Sequence, residues 1–144
     1  MFEILPFSPS DYDEVMALWR RTEGLTLREA DSRDAIIDYL AQNPGLSFVA
    51  RDRGRLIGAV LAGTDGRRGY LQHLAVAPTH RRQGVGTTLA SRVLESLQAV
   101  GIAKCHLFVR REQTHALEFW GRLGWTARGD VMLMSHLDSD VANA

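Results

Sequence analysis

The chain has 144 residues, 45% of them hydrophobic, with a single cysteine and a formal net charge of zero. That length supports one domain around one substantial core, and the single Cys105 excludes an internal disulfide and supplies no metal-ligand cluster. No apolar run approaches the roughly 20 residues of a spanning helix, and no basic leader or basic helix face stands out, so a cytoplasmic protein that binds neither membrane nor nucleic acid is expected.

In chain order, Phe2–Phe7 reads as a strand. Ser8-Pro9-Ser10-Asp11 then supplies an N-cap, a proline at the first helical position and an acid two residues on, ahead of Tyr12, Val15, Met16 and Trp19 on one helix face. Thr22–Asp31 is irregular, and a short second helix follows Ser32, carrying Ile36, Ile37 and Leu40 until Asn43-Pro44-Gly45 stops it. Leu46–Arg51 and Arg55–Gly63 read as strands around the turn Asp52-Arg53-Gly54, a hairpin, and Thr64–Gly69 is a polar loop. Gly69–Val76 has strand composition, and Pro78 takes the chain out of the sheet. Val85, Leu89, Val93, Leu97 and Val100 recur at spacings of three and four, an apolar helix stripe. Cys105–Val109 reads as a strand in which the cysteine is an inert buried thiol, Thr114–Leu123 as a helix ended by Gly124, and Val131–Leu137 as a last strand. Charge is uneven along this path: residues 1–50 hold nine acids against four arginines, and the remainder holds thirteen basic residues against eight acids. A basic second half suits a ligand carrying phosphates, and an acidic first half attracts a cationic amine.

The junction between the Gly69–Val76 strand and the following helix is Arg81-Arg82-Gln83-Gly84-Val85-Gly86-Thr87. A helix N-terminus exposes backbone N–H groups at the positive end of the macrodipole, and glycine lets a phosphate approach that backbone closely. Two familiar nucleotide signatures fail here. A Walker loop needs Lys directly after its last glycine, where Thr87 stands, and the dinucleotide fingerprint needs a third glycine at position 89, which is Leu. A second segment follows, Gln113-Thr114-His115-Ala116-Leu117-Glu118-Phe119-Trp120-Gly121-Arg122-Leu123-Gly124-Trp125.

Together these two segments resemble the GNAT superfamily of N-acetyltransferases. Its acetyl-CoA loop runs Arg/Gln-x-x-Gly-x-Gly/Ala between a strand and a helix, here Arg81-x-x-Gly84-x-Gly86, and its later segment runs Asn-x-x-Ala-x-x-Phe-Tyr-x-x-x-Gly-Phe. The resemblance implies an α/β (α+β) fold, a mixed central sheet of about six or seven strands flanked by about four helices and splayed around the acetyl-CoA site. It covers residues 1–137 as a single N-acetyltransferase domain and leaves 138–144 as a polar C-terminal tail, in a protein expected as a monomer or homodimer.

The implied chemistry is direct transfer of acetyl from acetyl-CoA, a co-substrate, to an amine acceptor, with no metal. The resemblance assigns the cofactor to Arg81, Arg82, Gln83, Gly84, Val85, Gly86 and Thr87, to the strand at Leu74, Ala75 and Val76 where it splays from its neighbour, and to Gln113 and Trp120. An alkyl ammonium is not a nucleophile near neutral pH, so a base or water chain is needed. Relatives often carry it on the central strand, at positions held here by Tyr70 and Gln72, neither an obvious base. His73 is the candidate, as base, water organiser or structural imidazole, provided that a bulge turns it, because on a regular strand it faces away from Tyr70 and Gln72. Glu23, Asp31, Asp65 and His115 are further candidates. The tyrosine to which many relatives assign protonation of the CoA thiolate is Trp120 here, either packing or donating a hydrogen bond, with Tyr70 in reserve. Trp19, Glu23 and Asp31 are expected to bind the acceptor. The missing tyrosine and carboxylate leave an alternative open: a non-catalytic or weakly catalytic acyl-CoA-binding sensor on the same fold.

Overall fold

A computed structural model of the protein describes residues 1–138 and 143–144. Among these residues one sheet of five strands forms in the order β1 (Glu3–Pro6), β2 (Phe48–Asp52), β3 (Arg55–Thr64), β4 (Gly69–Val76), β5 (Cys105–His106). The first three pairings are antiparallel and the β4–β5 pairing is parallel, as its crossover through α3 (Val85–Ala99) requires. The remaining helices are α1 (Tyr12–Arg20), α2 (Arg33–Gln42) and α4 (Thr114–Arg122).

Local chemistry accounts for these boundaries. The Ser8 N–H donates to the Asp11 carboxylate (2.9 Å), closing a single 3-10 turn at Pro9–Asp11 from which α1 continues. The Ser32 hydroxyl accepts the Ala35 N–H at the start of α2. In the β2–β3 hairpin Arg53 and Gly54 both take positive φ, 53° and 79°, the backbone of a tight turn that matches strand twist.

The core lies on both faces of β2–β4. α3 presses Val85, Leu89, Val93 and Leu97, all buried, onto one face, where Gly58 of β3 leaves the room: a Cβ there would lie 3.1 Å from side-chain atoms of Leu89 and Val85. α1 covers the opposite face of β3 and β4 with Val15, Leu18 and the fully buried Trp19, whose indole meets Phe7 edge-on at 6.1 Å. Burying a side chain of this size stabilises by roughly 1.5–3 kcal/mol.

The sheet is shorter than the six or seven strands expected. Strand β5 stops at His106, three residues before the expected Val109, and Val131–Leu137 forms no strand. Val131, Met132, Leu133 and Met134 are 63–87% exposed. A last strand would need β5 as its ladder partner, and two paired residues offer too short an edge. Of the expected polar tail, residues 139–142 lie outside the described residues; Asn143 is not detached, accepting the Glu29 N–H (2.9 Å) on its carbonyl and an Arg28 guanidinium N–H (3.1 Å) on its side chain.

Candidate functional site

Strand β4 leaves the sheet at Ala77 and makes one 3-10 turn, Pro78–His80. The turn is tied to the β2–β3 hairpin by His80 Nε2 and Asp52 Oδ2 at 2.8 Å, and that contact holds the Asp52 carboxyl below its usual range. Arg82 then adopts φ 63° and Gly84 φ 81°, two left-handed residues that swing the chain into α3. An arginine in this region is strained, and such strain gathers at functional loops. Gly84 caps the helix. Its carbonyl accepts the Thr88 N–H (3.0 Å) and hydroxyl (2.7 Å), while the N–H groups of the first turn have no intrahelical carbonyl to reach.

These N–H groups open into a cavity of about 460 Å³. Its walls add His80, Arg81 and Arg82 from the loop and Phe119 and Arg122 from α4. A donor set of bare helix N–H groups and several cationic side chains fits a diphosphate. A Cβ on Gly84 would meet nothing, so there glycine serves the left-handed backbone, whereas a Cβ on Gly86 would come within 3.3 Å of the Phe119 ring. Val85 is buried beneath the loop. Arg81 lines the cavity with its Nε–H donated back to the Val76 carbonyl (3.2 Å). Gln83 is the exception among the loop residues: its carboxamide turns away onto the Thr79 carbonyl, so only its backbone belongs to the loop. His80, Phe119 and Arg122 escaped the sequence reading; Phe119 and Arg122 sit one turn apart on α4, a spacing that helix periodicity alone would have brought to one face.

Leu74 lines this cavity and a second one of about 290 Å³. The second exists because β4 and β5 pair only at Gly69–Cys105 and Tyr70–His106 and then part. Leu71–Leu74 form one wall, Leu107–Arg110 the other, and Gln113, Ala116 and Trp120 of the α4 segment the floor. The Thr22–Thr26 loop crosses its mouth, so close to Gln113 that a Cβ on Gly24 would lie 2.7 Å from the carboxamide oxygen. Trp120 is packed edge-on between Phe119 (5.0 Å) and Trp125 (5.1 Å) and is 9% exposed.

His73 lies on this cavity because of the expected bulge. Between the pairs Ala59–Ala75 and Leu61–Gln72, β4 spends one residue more than β3, and His73 takes φ 54°. Gly69 faces Leu97 on α3, so unbroken alternation would have sent His73 to α3 as well. Instead its ring meets Trp19 of α1 edge-on at 4.9 Å, and Nε2 lies 2.9 Å from Asp31 Oδ1. Asp31 is buried in a 3-10 turn, its other carboxylate oxygen taking the Arg28 N–H (3.0 Å). Burial alone would raise this carboxyl; the bonds from His73 and the Arg28 N–H outweigh it and hold it below its ordinary range.

Three expectations need correction. Trp19 is fully buried under His73 and cannot touch an acceptor. Asp31 is spent on His73 and Arg28 rather than presented to solvent, whereas Glu23 is exposed on the loop at the cavity mouth. Tyr70 lines neither cavity; its hydroxyl donates to the Asp65 carboxylate (3.2 Å) in the polar loop. Asp65 itself is occupied by Tyr70 and the N–H groups of Arg67 and Arg68, and His115 is absent from both cavity walls. Burial pushes the Cys105 thiol up to about 11, consistent with an inert side chain.

An arginine-lined helix N-terminus beside a cleft between two parting strands suits an acyltransferase whose acyl donor carries a diphosphate. The sequence profile of the acetyltransferase (GNAT) family matches residues 12–125. An acetyltransferase of Sodalis glossinidius is 32% identical over 133 residues, 92% of this chain and 92% of its own length, and one of Yersinia enterocolitica is 32% identical over 139 residues, 96% and 97%. The PaiA N-acetyltransferase of Thermoplasma acidophilum in complex with coenzyme A shares the fold at a TM-score of 0.80, with 19% identity over 89% of this chain and 91% of that one. AAC(6')-Iy in complex with the bisubstrate analogue CoA-S-monomethyl-acetylneamine gives 0.77, with 20% identity over 96% and 99%. The chain belongs to the GNAT acetyltransferase family. Among the described residues no helix is long and apolar enough to cross a membrane.

Proposed function

We propose that this acetyltransferase moves the acetyl group of acetyl-CoA to a primary amine of a small molecule or of a peptide or protein. The observation that carries the reading is that two cavities share Leu74 as a lining residue, one at the cationic N-terminus of α3 and the other at His73, so that together they lay out one groove for the donor. On this reading the N–H groups of Val85–Thr87, with Arg82 and Arg122, hold the diphosphate, and Gln113 and Trp120 line the arm that follows it. Bound acetyl-CoA supplies an activated thioester. Backbone N–H groups around Leu74, beside the bulge, are the donors for its carbonyl oxygen.

Transfer breaks an acceptor N–H bond and the thioester C–S bond and forms an amide C–N bond and a thiol S–H bond, so one proton must travel from nitrogen toward sulfur. An ammonium near pKa 10 must shed its charge-carrying proton first. His73, on the groove wall, is the residue that takes a proton at that point, and imidazole is suited to it near neutral pH. Glu23 at the mouth draws in the cationic acceptor. The neighbour bound to an acetylneamine conjugate supports a small polycationic acceptor, and the ribosomal-protein-S18-alanine N-acetyltransferase of Escherichia coli, similar in fold, supports a peptide amine.

CoA release with acetyl-CoA and a panel of aminoglycosides, polyamines and peptides tests this. At least one amine should release CoA with an equal amount of acetylated product. No release above buffer hydrolysis with any of them would contradict the reading.

A further inference from the structure

We propose that Asp31 is the positioning residue of the site: it fixes the tautomer and the orientation of His73, leaving Nδ1 as the ring nitrogen that receives the acceptor's proton. The inference rests on the reading of His73 as the base. Its own ground is geometric. Asp31 Oδ1 lies 2.9 Å from His73 Nε2, and Asp31 Oδ2 accepts the Arg28 N–H at 3.0 Å. A carboxylate only accepts, so the ring proton of neutral His73 belongs on Nε2 and the lone pair on Nδ1. Nδ1 has no hydrogen-bond partner among the described residues, although the ring forms part of the groove wall.

Everything around Asp31 holds it still. Its side chain is 8% exposed, against 20% for His73, so the pair is shielded on the carboxylate side and reached from the ring side. The Asp31 carbonyl accepts the buried Tyr12 hydroxyl at 2.7 Å, and the Asp31 N–H closes its 3-10 turn onto the Arg28 carbonyl. Trp19 meets the imidazole edge-on and blocks rotation toward α1. On the strand side the ring is carried by a bulged residue with φ 54°, a left-handed conformation that a histidine in regular β4 would not need. The bulge turns position 73 away from α3, where the regular strand would send it, and onto Asp31. An aspartate fixing an imidazole so that its opposite nitrogen takes a proton is the division of labour a base needs when the acceptor arrives protonated.

The test combines a spectroscopic and a kinetic arm. Long-range ¹H–¹⁵N NMR on the wild-type protein, at about pH 8 where imidazole is ordinarily neutral, reads the His73 tautomer without any acceptor. The Nε2–H form is expected, and the Nδ1–H form would overturn the proposal. In the kinetic arm, Asp31→Asn, His73→Ala and the double variant are compared with acetyl-CoA and the panel amine that gives the fastest CoA release. Asp31→Asn should lower kcat about tenfold to a hundredfold with acetyl-CoA affinity unchanged, and should cost nothing further in the His73→Ala background. An equal further loss in that background would show that Asp31 acts on folding or the acceptor instead, and sinks the proposal. A His73→Ala protein of full activity would sink the base reading itself, while the tautomer measurement still decides whether Asp31 sets the ring.

Discussion

The end of the groove proposed for the phosphates is built from backbone: N–H groups of one helical turn, delivered by two left-handed residues two positions apart. The other end of the groove is built from side chains drawn from distant parts of the chain, some lining it and some buried behind it. His73 sits on a bulge of β4, Asp31 on a turn 42 residues earlier, Trp19 on α1 and Gln113 at the start of α4. The first end tolerates side-chain change and depends on glycine. The second has left-handed backbone among its lining residues at Gly24 and His73 and depends on side-chain pairs. Affinity should therefore answer to mutations at one end and turnover to mutations at the other.

The largest expected effect is at Gly84. Gly84→Asp puts a carboxylate where the diphosphate charge belongs and forces a left-handed backbone on an L-residue, so acetyl-CoA affinity measured by calorimetry should fall by more than about a hundredfold in a protein that still melts cooperatively. Next, His73→Ala should lower kcat by about a hundredfold or more while calorimetry returns a wild-type affinity for acetyl-CoA, the range expected for loss of a general base. Arg122→Ala sharpens the cradle. This arginine is exposed and its contribution is screened, so the acetyl-CoA dissociation constant should rise by only about three- to tenfold, with kcat unchanged. Smallest is the pair Trp120→Phe and Tyr70→Phe. The indole is a wall and should cost tenfold or less in turnover, roughly 1.4 kcal/mol, and Tyr70, bonded to Asp65 away from the groove, should cost under about twofold. A thousandfold loss in Trp120→Phe with intact acetyl-CoA binding would make the indole N–H a catalytic donor and erase the distinction between the two ends.

The same contrast explains what could be read from the sequence. The loop that opens α3 was legible because its determinants are local: Gly84, Gly86 and the apolar stripe of α3 lie within one strand-to-helix passage, and each residue type has a physical reason to be there. Strands β1–β4 and all four helices were legible for the same reason, since alternation, caps and the Asp52–Gly54 turn act over a few residues. The acceptor end was not. Trp19 was placed on one helix face with Val15 and Met16 and expected to bind the acceptor, but that face gives no sign of which neighbour it packs against, and it proved to be the wall behind His73. Asp31 looked like a free acid in an irregular stretch, yet its meaning comes from a partner that only the tertiary fold supplies. The bulge at His73 was foreseeable only from the family, because nothing in Gln72-His73-Leu74 itself demands an extra residue. The expected strand at Val131–Leu137 failed for a related reason: its composition is right, but a strand also needs a partner edge, and β5 offers two residues.

The central claim is that one groove joins the α3 N-terminus to His73 through the gap between β4 and β5, and a crystal structure of the protein with CoA tests it most directly. The account predicts the diphosphate on the N–H groups of Val85–Thr87 beside Arg82 and Arg122, the pantetheine arm between Leu71–Leu74 and Leu107–Arg110, and the thiol within reach of the His73 side of the cleft. A CoA molecule whose diphosphate lies away from the α3 N-terminus, or whose arm runs outside the gap, would contradict it.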